Sequence, residues 1–181
     1  MIALDEDMVG SDPNTVIVQG LKICLGLFVR INNGALFGAH FTPHTGRTGM
    51  NTILHHIRDN SGGHITWMAM VARFSAWQQR KPVLADFFRR GTGWGGLVHC
   101  SDLAWAATSY DIRFTVGINP LLEYRPTPDP DPTVVTPSAN VFKLTQHYTV
   151  LTATNGGHPG AMQRIPTNTG GFFFFSDSEP I

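Results

Sequence analysis

Residues 21–43 read LKICLGLFVRINNGALFGAHFTP, and this stretch decides the fold class. Its first part is rich in Ile, Leu, Val and Phe, which is typical of a buried β-strand. Asn32, Asn33 and Gly34 follow, and these residue types tolerate the positive φ angles that a hairpin turn requires. Residues 35–41 then return as the partner strand. The stretch therefore predicts an antiparallel hairpin with Cys24 on one strand and His40 on the other.

The chain before this hairpin divides into two parts. Residues 15–18 continue the pattern of a buried strand. Residues 1–13 are polar and acidic and contain Gly10, Ser11 and Pro13, a composition that favours turns. We therefore expect an irregular leader over residues 1–13, with regular structure beginning near Asn14.

Helices and strands alternate after the hairpin. Thr48 can cap an amphipathic helix that runs to about Asp59 and ends at Gly62 and Gly63. Residues 64–74 are strand-like, a second helix follows Pro82 and ends in the glycine-rich residues 91–96, and residues 97–105 and 110–116 predict two more strands. The order predicts an α+β core over residues 14–124, with one or more mixed, mainly antiparallel β-sheet layers and two helices packed on them.

The C-terminal third has a different composition. Residues 125–138 carry five prolines, which predicts a linker or an extended strap. Residues 139–181 predict a β-rich extension packed on the core, because residues 140–154 and 171–176 are strand-like. The Phe172–Phe175 run is too apolar to lie in water, so we expect it to pack on the core or on a partner.

Composition excludes several classes of function. Lys plus Arg and Asp plus Glu both number 13, so no net positive field attracts nucleic acid. No apolar run approaches the roughly 20 residues that span a bilayer, and the acidic start lacks the features of a signal peptide. We expect a soluble protein, cytoplasmic or exported without a Sec signal peptide. The run GTGWGG at residues 91–96 lacks the Lys and the Ser or Thr of a phosphate loop.

The histidines and cysteines do not match a metal-binding spacing. The sequence contains neither a CxxC nor an HExxH motif. His55 and His56 are adjacent, and adjacent side chains on a helix point about 100° apart, which is unsuited to a shared metal ion. We expect no metal and no other cofactor.

Cys24 and His40 are the residues best placed for covalent chemistry. An imidazole that removes the thiol proton turns a cysteine into a nucleophile. A buried cysteine is also a common core residue, and His40 could equally be a core histidine with satisfied hydrogen bonds. Cys100, beside His99, is a weaker rival that would need another base, such as His147. Asp102 and His64 could assist either cysteine.

The 21–43 stretch resembles the start of the CheD-type chemoreceptor glutamine deamidases, in which a cysteine on one strand is followed by Ala-His at the end of the next. The order of elements is similar to that family through about residue 124. The same cysteine-histidine fold occurs in bacterial toxins of the cytotoxic necrotising factor type. The resemblance implies a nucleophilic Cys24 and a basic His40. The third family position corresponds here to Val18, through its backbone carbonyl, or to Gln19, through its side-chain oxygen.

The resemblance implies a cysteine-dependent protein deamidase, either a chemotaxis enzyme or a secreted effector or toxin. Its substrate would be a partner protein carrying a target Gln or Asn, hydrolysed through a thioester. An amine in place of water would give a transglutaminase-like transfer. Lys22 and Ile23 stand where these families place Gly or Ser, which affects the oxyanion site. The alternative is a non-catalytic protein-binding module on the same scaffold, with the proline strap and the aromatic tail as its interface.

Overall fold

Two β-sheets and two helices form the part of the protein that the structure, a computed structural model, describes. The described residues are 1–77, 81–102, 109–116, 121–127, 141–143, 163–164 and 172–175. The helices are α1 (Gly46–Ser61) and α2 (Lys81–Thr92), with a 3-10 turn at Phe74–Ala76. The strands are β1 (Ile2–Leu4), β2 (Met8–Asp12), β3 (Thr15–Leu21), β4 (Leu25–Ile31), β5 (Leu36–Phe41), β6 (Ile65–Ala72), β7 (Val98–Asp102), β8 (Ser109–Thr115), β9 (Leu121–Thr127), β10 (Val141–Lys143), β11 (Gln163–Arg164) and β12 (Phe172–Phe175).

The strands pair into a larger and a smaller sheet. Within the described residues, the larger sheet has the order β10-β2-β5-β4-β6-β7-β12, and the smaller sheet has the order β1-β3-β8-β9-β11. The β4–β5 hairpin lies in the interior of the larger sheet, in the register Leu25↔Phe41 to Arg30↔Leu36. Gly34 adopts φ 89° at its turn, a conformation that glycine adopts without steric cost. Most neighbours run antiparallel, while β6–β7 and β1–β3 are parallel.

Alternate residues of the larger sheet face two different layers. Leu25, Leu27 and Val29 pack with the apolar side chains of α1 and α2 in one buried cluster. Phe28, on the opposite face, packs with residues of the smaller sheet, among them Phe114. The protein is therefore a three-layer sandwich of helices, larger sheet and smaller sheet. This architecture confirms the predicted α+β class with two helices on mixed, mainly antiparallel sheets.

The N-terminal leader was predicted incorrectly. Residues 1–13 contain two strands, with β1 parallel to β3 in the smaller sheet and β2 antiparallel to β5 in the larger one. Their sequences have little intrinsic strand preference, because they include Asp, Gly and Ser. Ladder hydrogen bonds to strands that are already part of the core override this preference. Regular structure therefore begins at Ile2 and not near Asn14.

Three further boundaries differ from the prediction. The strand predicted through Cys24 breaks at Lys22 and Ile23, where a bend separates β3 from β4. α1 starts at Gly46, ahead of the predicted cap Thr48. Residues 125–127 belong to β9 and not to a linker, and Pro126 pairs with Tyr110 beyond the short β9–β11 ladder. Among the described strands, β11 pairs with Glu123 and Tyr124 but not with Pro126, so the missing N–H of the proline interrupts no described ladder on that side.

The remaining C-terminal predictions fall largely outside the described residues. Of the predicted strap, residues 128–138 are not described, and of the extension only β10, β11 and β12 are. These three strands pair with β2, β9 and β7 respectively. Within the described part of the chain, neither helix has the length and apolar character needed to cross a membrane.

Gly38 marks a close approach between the two sheets. A Cβ atom at this position would lie 2.9 Å from Leu4 Cδ1 and would also overlap the side chain of Val16. Gly38→Ala should therefore lower the free energy of unfolding by about 1–3 kcal/mol, the usual cost of overpacking. Urea denaturation measures this effect. Gly95→Ala is the matched control, because a Cβ there meets no atom within 4 Å, and an equal loss in both variants would contradict the prediction.

Candidate functional site

Cys24 lies in the wall of a small surface pocket at the end of the hairpin. It follows the bend between β3 and β4 and is 4% exposed. The pocket has a volume of about 250 Å³. Its wall is formed by Glu6, Asp7, Ile23, Cys24, Thr42, Pro43 and His44. The thiol therefore borders a space that a small side chain could enter.

The acidic loop between β1 and β2 supplies the partner of the thiol. Cys24 Sγ donates to Glu6 Oε1 over 3.8 Å. The neighbouring Asp7 is buried, adopts φ 56° and accepts a hydrogen bond from the hydroxyl of Thr45. Thr45 Oγ1 in turn accepts the backbone N–H of Thr42 at 2.8 Å. These contacts hold the acidic loop against the start of α1, and they explain why Thr45 precedes the helix without capping it.

His40 shares a sheet face with Cys24. Its neighbours Ala39 and Phe41 face the helices, so alternation turns His40 towards the smaller sheet. His40 pairs with Gly26, which lies two residues after Cys24 and on the same face. The sequence leaves the register of the hairpin open, and the structure decides that one face carries both residues.

The His40 ring is buried and electrically neutral at neutral pH. It is 1% exposed, and neither ring nitrogen has a well-formed hydrogen bond to the described residues. Burial lowers the pKa of His40 to about 4, although the charge of Asp5 and the nearby Leu4 backbone favour the protonated ring. Among the residues that the structure describes, no hydrogen bond joins His40 to Cys24; the thiol bonds to Glu6.

The resting thiol is protonated. Burial raises the pKa of Cys24 to about 12, and the negative charge of Glu6 adds to this effect. The pKa of Glu6 is also raised, first by partial burial of its carboxylate and then by the charges of Asp5 and Asp7. A catalytic cysteine is usually expected to have a depressed pKa. Here burial and negative charge raise the pKa of Cys24 instead. The thiol therefore keeps its proton and donates a hydrogen bond to the Glu6 carboxylate.

The two candidate orienting residues lie in the strand next to β1. Val18 is fully buried in the cluster between the sheets and pairs with Leu4 and Ile112. Gln19 is 6% exposed. The backbone that lies close to the His40 ring is that of Leu4. Leu4 and Glu6 were missed from the sequence because residues 1–13 were assigned to an irregular leader. The apolar residues Ile2 to Leu4, followed by three carboxylates, were the available signal.

The rival residues lie elsewhere. Cys100 is buried among the side chains under the helices, on the opposite face of the larger sheet from Cys24, and burial raises its pKa. His99 stacks on Trp67 with ring centroids 5.2 Å apart. Asp102 pairs with Lys81 at 2.9 Å, and His64 is exposed. His147 lies outside the described residues. Within the described ranges, no group of three or more His, Cys, Asp or Glu side chains could hold a metal ion.

Comparison with known proteins does not assign a family. Family models, curated proteins and solved structures yield no match to this chain. The resemblance of residues 21–43 to the CheD-type deamidases therefore stays a prediction from the sequence. The geometry around Cys24 is therefore the basis on which a function is proposed.

Burial of His40 predicts that acid destabilises the fold. The unfolded chain takes up a proton on this residue near pH 6.5, while the folded protein does so only near pH 4. The free energy of unfolding should therefore fall as the pH drops between these values, by an amount on the order of a few kcal/mol. Chemical denaturation at several pH values measures this change in the free energy of unfolding.

His40→Leu should flatten this pH dependence, because it removes the group that protonates on unfolding. His55→Leu is the control, since His55 is exposed on α1. An unchanged slope in His40→Leu would show that other groups cause the acid sensitivity.

Proposed function

We propose that this protein is a cysteine-dependent amidohydrolase that deamidates a Gln or Asn side chain of a partner protein, with Cys24 as the nucleophile. The observation that carries the proposal is the contact of the Cys24 thiol with the Glu6 carboxylate in the wall of an open pocket. His40 lies on the same sheet face and supplies a second proton-accepting group. This arrangement supports acyl transfer, because a proton acceptor contacts the sulfur that would react.

The charge of the pocket suits a neutral amide. Glu6 and Asp7 line it, and Thr42 contributes a hydroxyl that can bind a carboxamide. Hydrolysis converts the uncharged carboxamide into a carboxylate. Repulsion between that carboxylate and the two acidic side chains then favours release of the product. The acidic pocket is therefore better matched to an uncharged carboxamide than to a substrate group that carries a negative charge.

The contact between the Cys24 thiol and the Glu6 carboxylate determines where the protons go in the proposed reaction. Glu6 accepts the thiol proton as Cys24 Sγ bonds to the amide carbon, and its raised pKa makes it a stronger base than an ordinary glutamate. The C–N bond then breaks and ammonia leaves with the proton from Glu6. Water next attacks the thioester and passes a proton to Glu6, which returns it to the departing sulfur. The neutral ring of His40 can accept a proton if the ring moves towards the thiol.

One observation favours a second candidate, a protein-binding module without catalysis. A thiol with a pKa of about 12 contains almost no thiolate at neutral pH, as is usual for a cysteine that only fills space. In that case the pocket would bind a side chain of a partner without reacting with it. The two candidates differ in whether Cys24 forms a covalent intermediate.

Turnover requires Cys24 in the first candidate. The full-length protein should convert glutamine or asparagine to the acid in a library of glutamine- and asparagine-containing peptides, as read by mass spectrometry. Cys24→Ala should abolish this conversion, while Cys100→Ala should retain it, because Cys100 lies on the other face of the sheet. Equal activity of Cys24→Ala and wild type would rule out Cys24 as the nucleophile.

Glu6→Gln should separate thiol reactivity from turnover. Loss of the carboxylate removes a charge that raises the pKa of Cys24, so alkylation by iodoacetamide at pH 8 should accelerate. The gain is roughly threefold per unit of pKa, because a less basic thiolate is also a weaker nucleophile. Turnover should fall instead, because the proton acceptor is lost. Site-resolved mass spectrometry measures the alkylation.

Asp5→Asn is the matched control for Glu6→Gln, because Asp5 is the adjacent carboxylate, whereas the thiol of Cys24 donates its hydrogen bond to Glu6. It should leave alkylation of Cys24 close to the wild-type rate. If Glu6→Gln accelerated both alkylation and turnover, Glu6 would not be the catalytic proton acceptor.

A further inference from the structure

A second, larger depression adjoins the Cys24 pocket. It has a volume of about 520 Å³ and lies between the start of α1, the 3-10 turn and α2. Pro43 and His44 line both this groove and the Cys24 pocket. A chain segment lying in the groove would therefore reach the space beside the thiol without crossing another element.

The floor of the groove is apolar. Its apolar side chains come from both helices and the 3-10 turn, namely Met50, Ala76, Trp77, Val83, Leu84 and Phe87. Met50 and Leu84 also belong to the core under the helices. The floor is therefore continuous with the core and able to receive an apolar side chain.

Trp77 joins the groove to the site. Its indole Nε1 donates to the backbone carbonyl of Ile23 at 3.0 Å. Ile23 immediately precedes Cys24, and its side chain is 44% exposed. A peptide that packs against Trp77 therefore contacts a side chain that is hydrogen-bonded to the backbone of Ile23, the residue before Cys24.

The groove is positively charged, whereas the Cys24 pocket is negatively charged. Arg47 and Arg90 line the groove, and its described lining residues include no carboxylate. Arg90 forms an ion pair with Asp86 but keeps 66% of its side chain exposed. The whole chain has a formal net charge of 0, so this separation of charge is local. A peptide that fits both depressions has apolar and acidic residues in the groove and an uncharged side chain beside the Cys24 thiol.

We propose that the groove docks the substrate of the deamidation, a protein segment in which an apolar residue and one or more Asp or Glu residues lie beside the target amide. The inference rests on the proposed function for the identity of the target. The apolar residue packs on the groove floor and the acidic residues face Arg47 and Arg90. The target amide then enters the Cys24 pocket, where a flanking acidic residue would be repelled by Glu6 and Asp7.

The test measures binding in the absence of turnover. The probe is a library of short peptides with one fixed central glutamine and random flanking residues, applied to the immobilised full-length Cys24→Ala protein. Sequencing of the bound peptides should show enrichment of aromatic or aliphatic residues and of Asp and Glu, several-fold over the input. A bound pool without these preferences, or with enriched Lys and Arg, would overturn the proposal.

A reversal of charge identifies the groove as the source of the preference. Arg47→Glu, added to Cys24→Ala, should abolish the enrichment of acidic residues and favour Lys and Arg. The variant is compatible with folding, because residue 47 is exposed in the first turn of α1, where a negative charge suits the helix dipole. Arg58→Glu is the matched control near the end of the same helix, and it should leave the enrichment unchanged. An unchanged acidic preference in Arg47→Glu would overturn the proposal.

The outcomes for the groove and for the enzyme are separable. Selective binding by the Cys24→Ala protein, without turnover by wild type, would support the docking groove and contradict the deamidase. Turnover by wild type without the predicted flanking preference would support the deamidase and contradict the docking groove. Self-association of the full chain that Arg47→Glu abolishes would identify a second copy as the occupant and overturn the proposal.

Discussion

Burial of both faces of the β4–β5 hairpin is the constraint on which the rest of the structure depends. One face lies under the two helices and the other against the smaller sheet. A slip of one residue would exchange the two sets of side chains, so the register is strongly specified. Large and small residues also alternate across the hairpin on the side of the smaller sheet, where His40 faces Gly26 and Gly38 faces Phe28. The positions of Cys24 and His40 follow from this packing.

The surroundings of Cys24 depend on a part of the chain that is distant in sequence. The acidic β1–β2 loop brings Glu6 to the thiol across 18 positions of sequence, and Asp7 with Thr45 ties that loop to the start of α1. The same loop makes the resting thiol a poor acid, since burial and negative charge act in one direction. In the proposed reaction, the first step is therefore transfer of the thiol proton, because the resting cysteine is not a thiolate.

The two adjoining depressions carry opposite charges, and this difference would favour one orientation of a bound peptide. Carboxylates surround the thiol, whereas arginines border the apolar groove beyond Pro43 and His44. In the proposed complex, an extended substrate segment matches both charged regions in one orientation and is repelled in the other. Specificity for the partner and chemistry at the thiol can therefore reside in different elements, with α1 and α2 serving the first and the strands the second.

The sequence by itself determined the elements whose signals are local. Apolar runs and the Asn-Asn-Gly turn predicted the hairpin, and the apolar stripe ending at Gly62 predicted α1 to within a few residues. These signals also assigned Cys24 and His40 to the two arms of one hairpin, although the register that turns both to one face came from the structure. Side-chain alternation and turn chemistry act over a few residues, which is why they can be recognised in a single chain.

Only the tertiary structure decided which groups surround the pair. β1 and β2 are strands because β3 and β5 offer them backbone partners, and their own residues carry no strong strand signal. Leu4 and Glu6 thereby reach His40 and Cys24, and the packing of α1 against the 3-10 turn and α2 creates the groove. Contacts between distant segments depend on the packing energy of the whole fold, and no local pattern records that energy.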